Sequence, residues 1–464
     1  MIGKRATLLA GRACTIQQGS LDKSLGVVHS IATFTVGLPH QPHFQLHRIL
    51  HDTYSYHCLN FYSPHQQSET GDTDHIQRDI MSSTNLPSVD TKADHQAAIL
   101  AKKTNKSTGQ PINVDPAIIA ALLPAYTFIQ ATALGGSLWC QTAKIETTFS
   151  PSTPKDTGGS DPVPAYFFLK TTRGQIAKKM FTGEFAGMTA LHEALPEFAP
   201  NPIAFGPCSD NDDDEQPSYF FLEAYIPMSP SHPLNPHAFC SRLAQLHKST
   251  AGTSPTGKFG FGVTTCNGNI EQPVEWEERW DFFFVKGLRW MVDSYERITS
   301  QVNGTGGGLE RVNNELRNAV NRVCAVVIPH LLSPERLKDS VTGEPVKPCL
   351  VHGDLWLGNT GINMDTGGTP VIFDPAAFYA HNEYELGNWV PDRCRFGGLE
   401  GEFVREYKRL YSPAEPRGEF EDRVRLYSFR FELHFCCLFP GQDEPARVMK
   451  AMIEDMNRLC EKYL

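Results

Sequence analysis

Apolar and polar positions follow no sustained period before about residue 109; beyond it, two regimes succeed each other. In the first, Ile118, Ile119, Leu122, Leu123 and Phe128 give residues 114–134 a helical character, followed by Gly135-Gly136-Ser137 and an alternating segment from Trp139 to Phe149. A Ser/Thr/Pro/Gly/Asp-rich loop at 151–164 leads into a run of strand formers, Ala165 to Lys170, and then a helical pattern at 175–195. After an acidic turn at 209–215, Tyr219 to Tyr225 reads as another strand. In the second regime, helical spacing dominates at 235–249, 276–299, 309–332, 399–411 and 417–437, broken at 346–374 by apolar strands and tight turns. The expected fold class is α+β with two lobes: 109–228, rich in strands with one prominent helix, and 229–464, mainly helical.

Residues 1–108 stand apart. Nine of the 17 histidines fall in the first 100 residues, and 62–94 is almost entirely polar, too poor in apolar groups to offset chain entropy. This predicts a disordered extension, in preference to a metal-binding histidine tract in which His47 and His51 would share a helix face. The first 21 residues lack acids and contain Lys4, Arg5 and Arg12, a faint likeness to a mitochondrial-type transit segment.

The net charge of −10 is unevenly spread: residues 1–110 carry +2 and the remainder −12. So acidic a body argues against nucleic acid as a partner, since that binding rests on neutralised phosphates. The best candidate for a membrane span, 117–134, is cut by Pro124 and Gln130, so no membrane partner is expected. Twelve cysteines without zinc-type spacing suggest free thiols in a reducing compartment, and hence the cytoplasm.

The strongest chemical signal is Leu350-Val-His352-Gly-Asp354-Leu-Trp356-Leu-Gly-Asn359, followed by the turn Asp365-Thr-Gly-Gly368 and by Pro370-Val-Ile-Phe-Asp374. The arms flanking the turn predict a β-hairpin that brings Asn359 and Asp374 together, with Asp354 just upstream. Carboxylate and amide oxygens suit Mg²⁺. The Asp-x-x-x-x-Asn spacing is also that of a kinase catalytic loop, in which the Asp accepts a hydroxyl proton and the Asn holds metal; Asp374 would supply the second metal ligand.

A kinase also needs a strand lysine for phosphates and a helical glutamate to orient it. Lys170 ends the 165–170 strand, and Glu184 lies within an apolar stripe of Ile176, Met180 and Met188, where a carboxylate requires a partner. Gly135, Gly136 and Ser137 could offer backbone N–H groups to phosphate. Glu223 and Ala224 sit at the lobe junction, where adenine would meet backbone groups. These assignments imply ATP as co-substrate.

The segment His352–Asn359, with Ile372-Phe-Asp-Pro-Ala376 and Phe378-Tyr-Ala-His381-Asn-Glu383-Tyr-Glu-Leu386, closely resembles the fructosamine/ketosamine 3-kinases, which include protein-ribulosamine 3-kinases. Met180-Phe-Thr-Gly-Glu184, Lys258-Phe-Gly-Phe261, Asn267-Gly268, Trp276 and Trp280 add to the resemblance, which covers about 115–464. It implies a bilobal protein-kinase-like fold and transfer of the ATP γ-phosphoryl to the 3-hydroxyl of a ketoamine on a glycated protein or small amine, initiating deglycation. It further implies Asp354 as base, Asn359 and Asp374 as Mg²⁺ ligands, Lys170 on phosphate, Glu184 orienting Lys170, and Trp356, His381 and Glu383 around the sugar. The alternatives are an aminoglycoside- or choline-type kinase and a catalytically inactive kinase-like binding protein. Three departures stand out. Ser137 takes the place of a phosphate-loop cysteine associated with redox control, Cys140 following three residues later; the segment at 150–164 is an insertion; and Ala380 replaces a glycine before His381.

Overall fold

The computed structural model describes residues 108–150, 161–209, 216–229, 232–303 and 307–464. The expectations for residues 1–107, and for most of the 151–164 loop and of the acidic turn, lie outside these.

Five antiparallel strands form the first lobe: β1 (Tyr126–Gly136), β2 (Gln141–Phe149), β3 (Val163–Arg173), β4 (Pro202–Pro207) and β5 (Ser218–Ala224), in the order β1-β2-β3-β5-β4. The helix expected over 114–134 is a correction. Only one turn forms, α1 (Pro116–Ala120), started by the Asp115 carboxylate on the Ala117 N–H and by Pro116. Pro124 then blocks continuation, and Tyr126-Thr-Phe-Ile supply strand formers instead. Strand β4 was not among the expected elements.

The sheet divides its side chains by alternation. One face packs Ile145, Phe167, Leu169, Phe220 and Leu222 with Ile118 of α1. The other meets α2 (Ala177–Ala194), where Phe181 lies 6.1 Å from Phe221, ring centre to ring centre.

The second lobe holds α3 (Pro236–Thr250), α4 (Trp280–Asn303), α5 (Gly307–Arg322), α6 (Ile328–Leu332), α7 (Glu402–Leu410), α8 (Phe420–Leu438) and α9 (Asp443–Tyr463). The helix expected over 309–332 is interrupted by a π-helical turn, Val323–Val327, which ends two residues before Pro329. Helix α9 was not expected; Met449, Met452, Met456 and Leu459 form its buried stripe. Three short strand pairs decorate this lobe: β6 (Cys266–Asn267) with β7 (Ile270–Glu271), β8 (Cys349–Val351) with β11 (Phe378–Ala380), and β9 (Thr360–Asn363) with β10 (Thr369–Ile372). The linker after β5 joins this lobe through Met228, which bridges to Asn363. The architecture is an α+β bilobal fold of the protein-kinase-like type.

Candidate active site

The β9–β10 hairpin closes with Thr360 opposite Ile372, and the Phe373 N–H donates to the Asn359 carbonyl at 3.1 Å. That register brings Asn359 beside Asp374: the Asn359 amide nitrogen donates to the Asp354 carbonyl at 2.9 Å and to the Asp374 carbonyl at 3.4 Å. Asp374 has a φ of +58°, left-handed backbone that Asp tolerates better than most residues and that is typical of functional turns.

The loop bearing Asp354 is held from beneath. Gly353, at φ +78°, lies so close to the Ala376 carbonyl that a Cβ would collide with it. The fully buried Glu385 accepts the backbone N–H groups of His352 and Gly353 at 2.5 and 3.0 Å. The buried His352 ring accepts the Asp354 N–H on Nδ1, so Nε2 carries the proton and donates to the Phe373 carbonyl at 2.8 Å. Burial lowers the His352 pKa, which keeps this neutral tautomer.

A second support comes from α8. Arg430 donates to the side-chain oxygens of Asn267 and Gln272, both at 2.6 Å. Asn267 donates in turn to the Gly353 carbonyl and Gln272 to the Ala376 carbonyl. One guanidinium thus tethers both loops of the site. Loss of solvation pushes the Asp354 carboxyl up to about 7, opposed by the charge of Arg430 and a hydrogen bond from Asn267. Asn388 also donates to Asp354 at 3.3 Å. A carboxylate poised near neutrality suits a general base.

Across the cleft, Lys170 pairs with Glu184 at 2.5 Å and with Asp374. Burial disfavours the lysine's charge, yet Asp374, Glu184 and Glu223 hold its pKa well above the ordinary range. Burial raises Glu184, against the pull of Lys170. Strand, helix and hairpin therefore converge on one cation.

Among the described residues, no three His, Cys, Asp or Glu side chains gather as a metal centre. The set here is smaller, Asp374 with Asn359, and all-oxygen; it fits Mg²⁺, which takes few protein ligands and completes its shell with water and phosphate oxygens.

Gly135 and Gly136 end β1. In the turn after them the N–H groups of Trp139 and Cys140 donate to the Ser137 hydroxyl, and the Ser137 N–H donates to the Cys140 carbonyl. Three tip amides are therefore spent within the turn, fewer left for phosphate than the glycines suggested. The Trp139 indole reaches Gly268 in the β6–β7 turn, where a Cβ would collide with it. Burial pushes the Cys140 thiol up to about 12, an unreactive environment.

The residues expected around the sugar separate. Trp356 is partly exposed and folds over Gly358. His381 and Glu383 are corrections, since both are interior. Glu383 pairs bidentately with Arg423 at 2.7 and 3.0 Å, and His381 meets the Tyr427 hydroxyl at 2.9 Å. They brace α8 from inside and present no face to a ligand. The sequence reading missed Glu385, Arg430, Asn267 and Gln272 as supports of the loop bearing Asp354; the Asn267-Gly268 pair carries no role in it.

A family model described as fructosamine kinase matches residues 161–457. A chloroplastic protein-ribulosamine 3-kinase of Oryza sativa subsp. japonica is 30% identical over 296 residues, 64% of this chain and 73% of that protein. A ketosamine-3-kinase of Mus musculus is 29% identical over 273 residues, 56% and 78% of the two chains. Among solved structures, the "Putative fructosamine-3-kinase" of Haemophilus somnus 129PT superposes with a TM-score of 0.50 at 16% identity, covering 78% of this chain and 99% of that one, a likeness of fold. With a family model spanning well over half its length and the kinase-like cleft in place, the chain belongs to the fructosamine kinase family.

Proposed function

We propose that the protein transfers the γ-phosphoryl group of ATP to the 3-hydroxyl of a ketoamine, a ribulosamine or fructosamine carried on a protein lysine or small amine. The observation that carries this reading is the convergence of Lys170 from β3, Asp354 and Asn359 from the loop between β8 and β9, and Asp374 from just past the end of β10, in a chain of this family. Asp354 accepts the 3-hydroxyl proton as that oxygen attacks the γ-phosphorus and ADP leaves. Lys170, oriented by Glu184, binds the phosphates, and Asn359 with Asp374 would hold Mg²⁺, which neutralises phosphate charge when bound. In phosphoryl transfer the protein chiefly positions reactants, so the tethering of the Asp354 loop by Glu385 and by Arg430 with its two amides is part of the catalytic apparatus.

The product chemistry accounts for deglycation. Enolisation between C1 and C2 makes the C3 phosphate allylic, so it leaves, and water then releases the amine from the resulting imine. Nucleic acid and membrane have no part in this reading. Free thiols among the described cysteines accord with a cytoplasmic setting, and no helix of the described residues is long and apolar enough to cross a membrane.

The test is to incubate the protein with ATP, Mg²⁺ and ribuloselysine or fructoselysine and locate the phosphate by ³¹P–¹H correlation NMR. A 3-phosphate is expected. Phosphorylation at another hydroxyl, or of neither ketoamine, contradicts the assignment.

A further inference from the structure

Trp139 sits in the turn between β1 and β2, and the reaction as described gives it no task. Its backbone is fixed to the first lobe: the Trp139 N–H donates to the Ser137 hydroxyl at 3.2 Å, and its carbonyl accepts the Thr172 hydroxyl at 2.6 Å. Thr172 follows Lys170 by two residues on β3, so it shares the lysine's face of the sheet about 7 Å further along. The neighbouring Cys140 thiol lies in the electrostatic field of Lys170, Glu184 and Asp374. The turn therefore lies against the phosphate side of the cleft.

The side chain leaves that lobe. Its indole meets the β6–β7 turn at Gly268, where an added Cβ would come within 2.8 Å of Nε1 and 3.0 Å of Cε2. Glycine is what admits the ring there. The adjacent Asn267 donates to the Gly353 carbonyl at 3.4 Å, hydrogen-bonds Asp354, and is gripped by Arg430. One indole thus spans from the strand that carries Lys170 to the turn that supports Asp354, and the phosphoryl group passes between those two residues. Two acceptors compete for it, the sugar hydroxyl and water, and Asp354 takes a proton from either. A base and a phosphate-binding cation do not tell them apart; exclusion of water does.

We propose that Trp139, seated on Gly268, closes the cleft over the transferring phosphoryl group and so commits it to the ketoamine rather than to water. The inference rests on the phosphotransfer reading above and deepens it. Trp139 acts as a positioning residue, through the shape of the closed cleft. When the indole is displaced, the oxygen of water bonds to the γ-phosphorus as the bond to the β-phosphate oxygen breaks. ADP leaves, Asp354 takes the water proton, and inorganic phosphate forms while the ketoamine stays unchanged.

The experiment incubates the full-length protein with ATP, Mg²⁺ and ribuloselysine or fructoselysine and compares ADP formed with ketoamine consumed, a ratio that later loss of phosphate from the product does not alter. The wild type is expected to give a ratio of about 1. Trp139→Ala should raise it to about 2 or more and slow ketoamine consumption about tenfold, with ATP affinity by isothermal titration calorimetry kept within about threefold. Trp139→Phe, which retains a ring, should stay near the wild-type ratio. Gly268→Ala, which keeps Trp139 but pushes its indole off the turn, should reproduce the uncoupling. A wild-type ratio already near 2, or a ratio in Trp139→Ala equal to that of the wild type, overturns the proposal, whatever the change in overall rate. Should the alanine variant at 139 not fold, Gly268→Ala decides, because a wild-type ratio there also overturns it. If the wild type consumes neither ketoamine, the ketoamine reading falls and this inference with it; if it consumes one and both variants keep its ratio, the role of Trp139 alone falls.

Discussion

Glu385 accepts the backbone N–H of Gly353 at 3.0 Å, one residue before Asp354. With the bond from His352, this makes a buried carboxylate the floor of the loop bearing Asp354. Glu385→Ala leaves two interior N–H groups without an acceptor and should cost about 3 kcal/mol in urea unfolding. The loop then loses its fixed geometry, and kcat should fall about 100-fold while the ATP affinity stays within about twofold. Unchanged kcat in the folded variant would assign Glu385 a purely structural role.

The pKa of Asp354, raised to about 7 by loss of solvation, sets the pH profile. A general base works ionised, so kcat/KM should rise with pH through about 7 and level above it. Arg430 opposes the shift; Arg430→Met should therefore move the limb upward by about one unit. Stability runs the other way. The folded value lies above the ordinary 3.8, so the unfolded chain ionises first as pH rises, and the cost accrues between about pH 4 and 7 and is complete above 7. Asp354→Asn should accordingly raise Tm at pH 8 by about 2 °C or more and leave it unchanged at pH 4. An acid limb far below pH 6 would contradict the assignment of the base.

Lys170 is shared by Glu184 and Asp374, with Glu223 nearby. Lys170→Met strands these carboxylates, and breaking such a pair should destabilise the protein by about 3 kcal/mol. Nucleotide affinity should fall about tenfold or more, since the cation for the phosphates is gone. Titration with ATP and a urea melt check both effects; an unaltered ATP affinity would remove Lys170 from the phosphate site.

Glu383 and Arg423 form an ion pair with side chains 1% and 0% exposed. Glu383→Ala leaves the guanidinium buried and unpaired and should cost about 3–5 kcal/mol. Glu383→Gln, which preserves shape, should leave the KM for the ketoamine within about twofold. A large rise in that KM would return Glu383 to the sugar.

The parts of the site legible in the sequence are those fixed by local rules. The β9–β10 hairpin follows from Asp365-Thr-Gly-Gly368 between apolar arms, and its register alone places Asn359 beside Asp374. Lys170 and Glu184 were visible because a strand end and a helix stripe are short-range patterns. The errors came from contacts that spacing does not encode. Glu383 and His381 looked like pocket residues until α8 supplied Arg423 and Tyr427, 40 and 46 residues away. Glu385 and Arg430 were missed because their roles lie in backbone groups and amides brought in from distant loops. At 114–134, apolar spacing outvoted Pro124 and the strand formers after it, and a helix was expected where β1 forms.

The most direct test of the account is steady-state ADP release from ATP and Mg²⁺ with ribuloselysine and with fructoselysine, comparing wild type with Asp354→Asn. The wild type should turn over at least one of them in a substrate-dependent manner, and the variant should lose about 100-fold or more in kcat, the contribution of a positioned base, while still binding ATP. Turnover by Asp354→Asn equal to wild type, or no ketoamine-dependent turnover by the wild type, would contradict it.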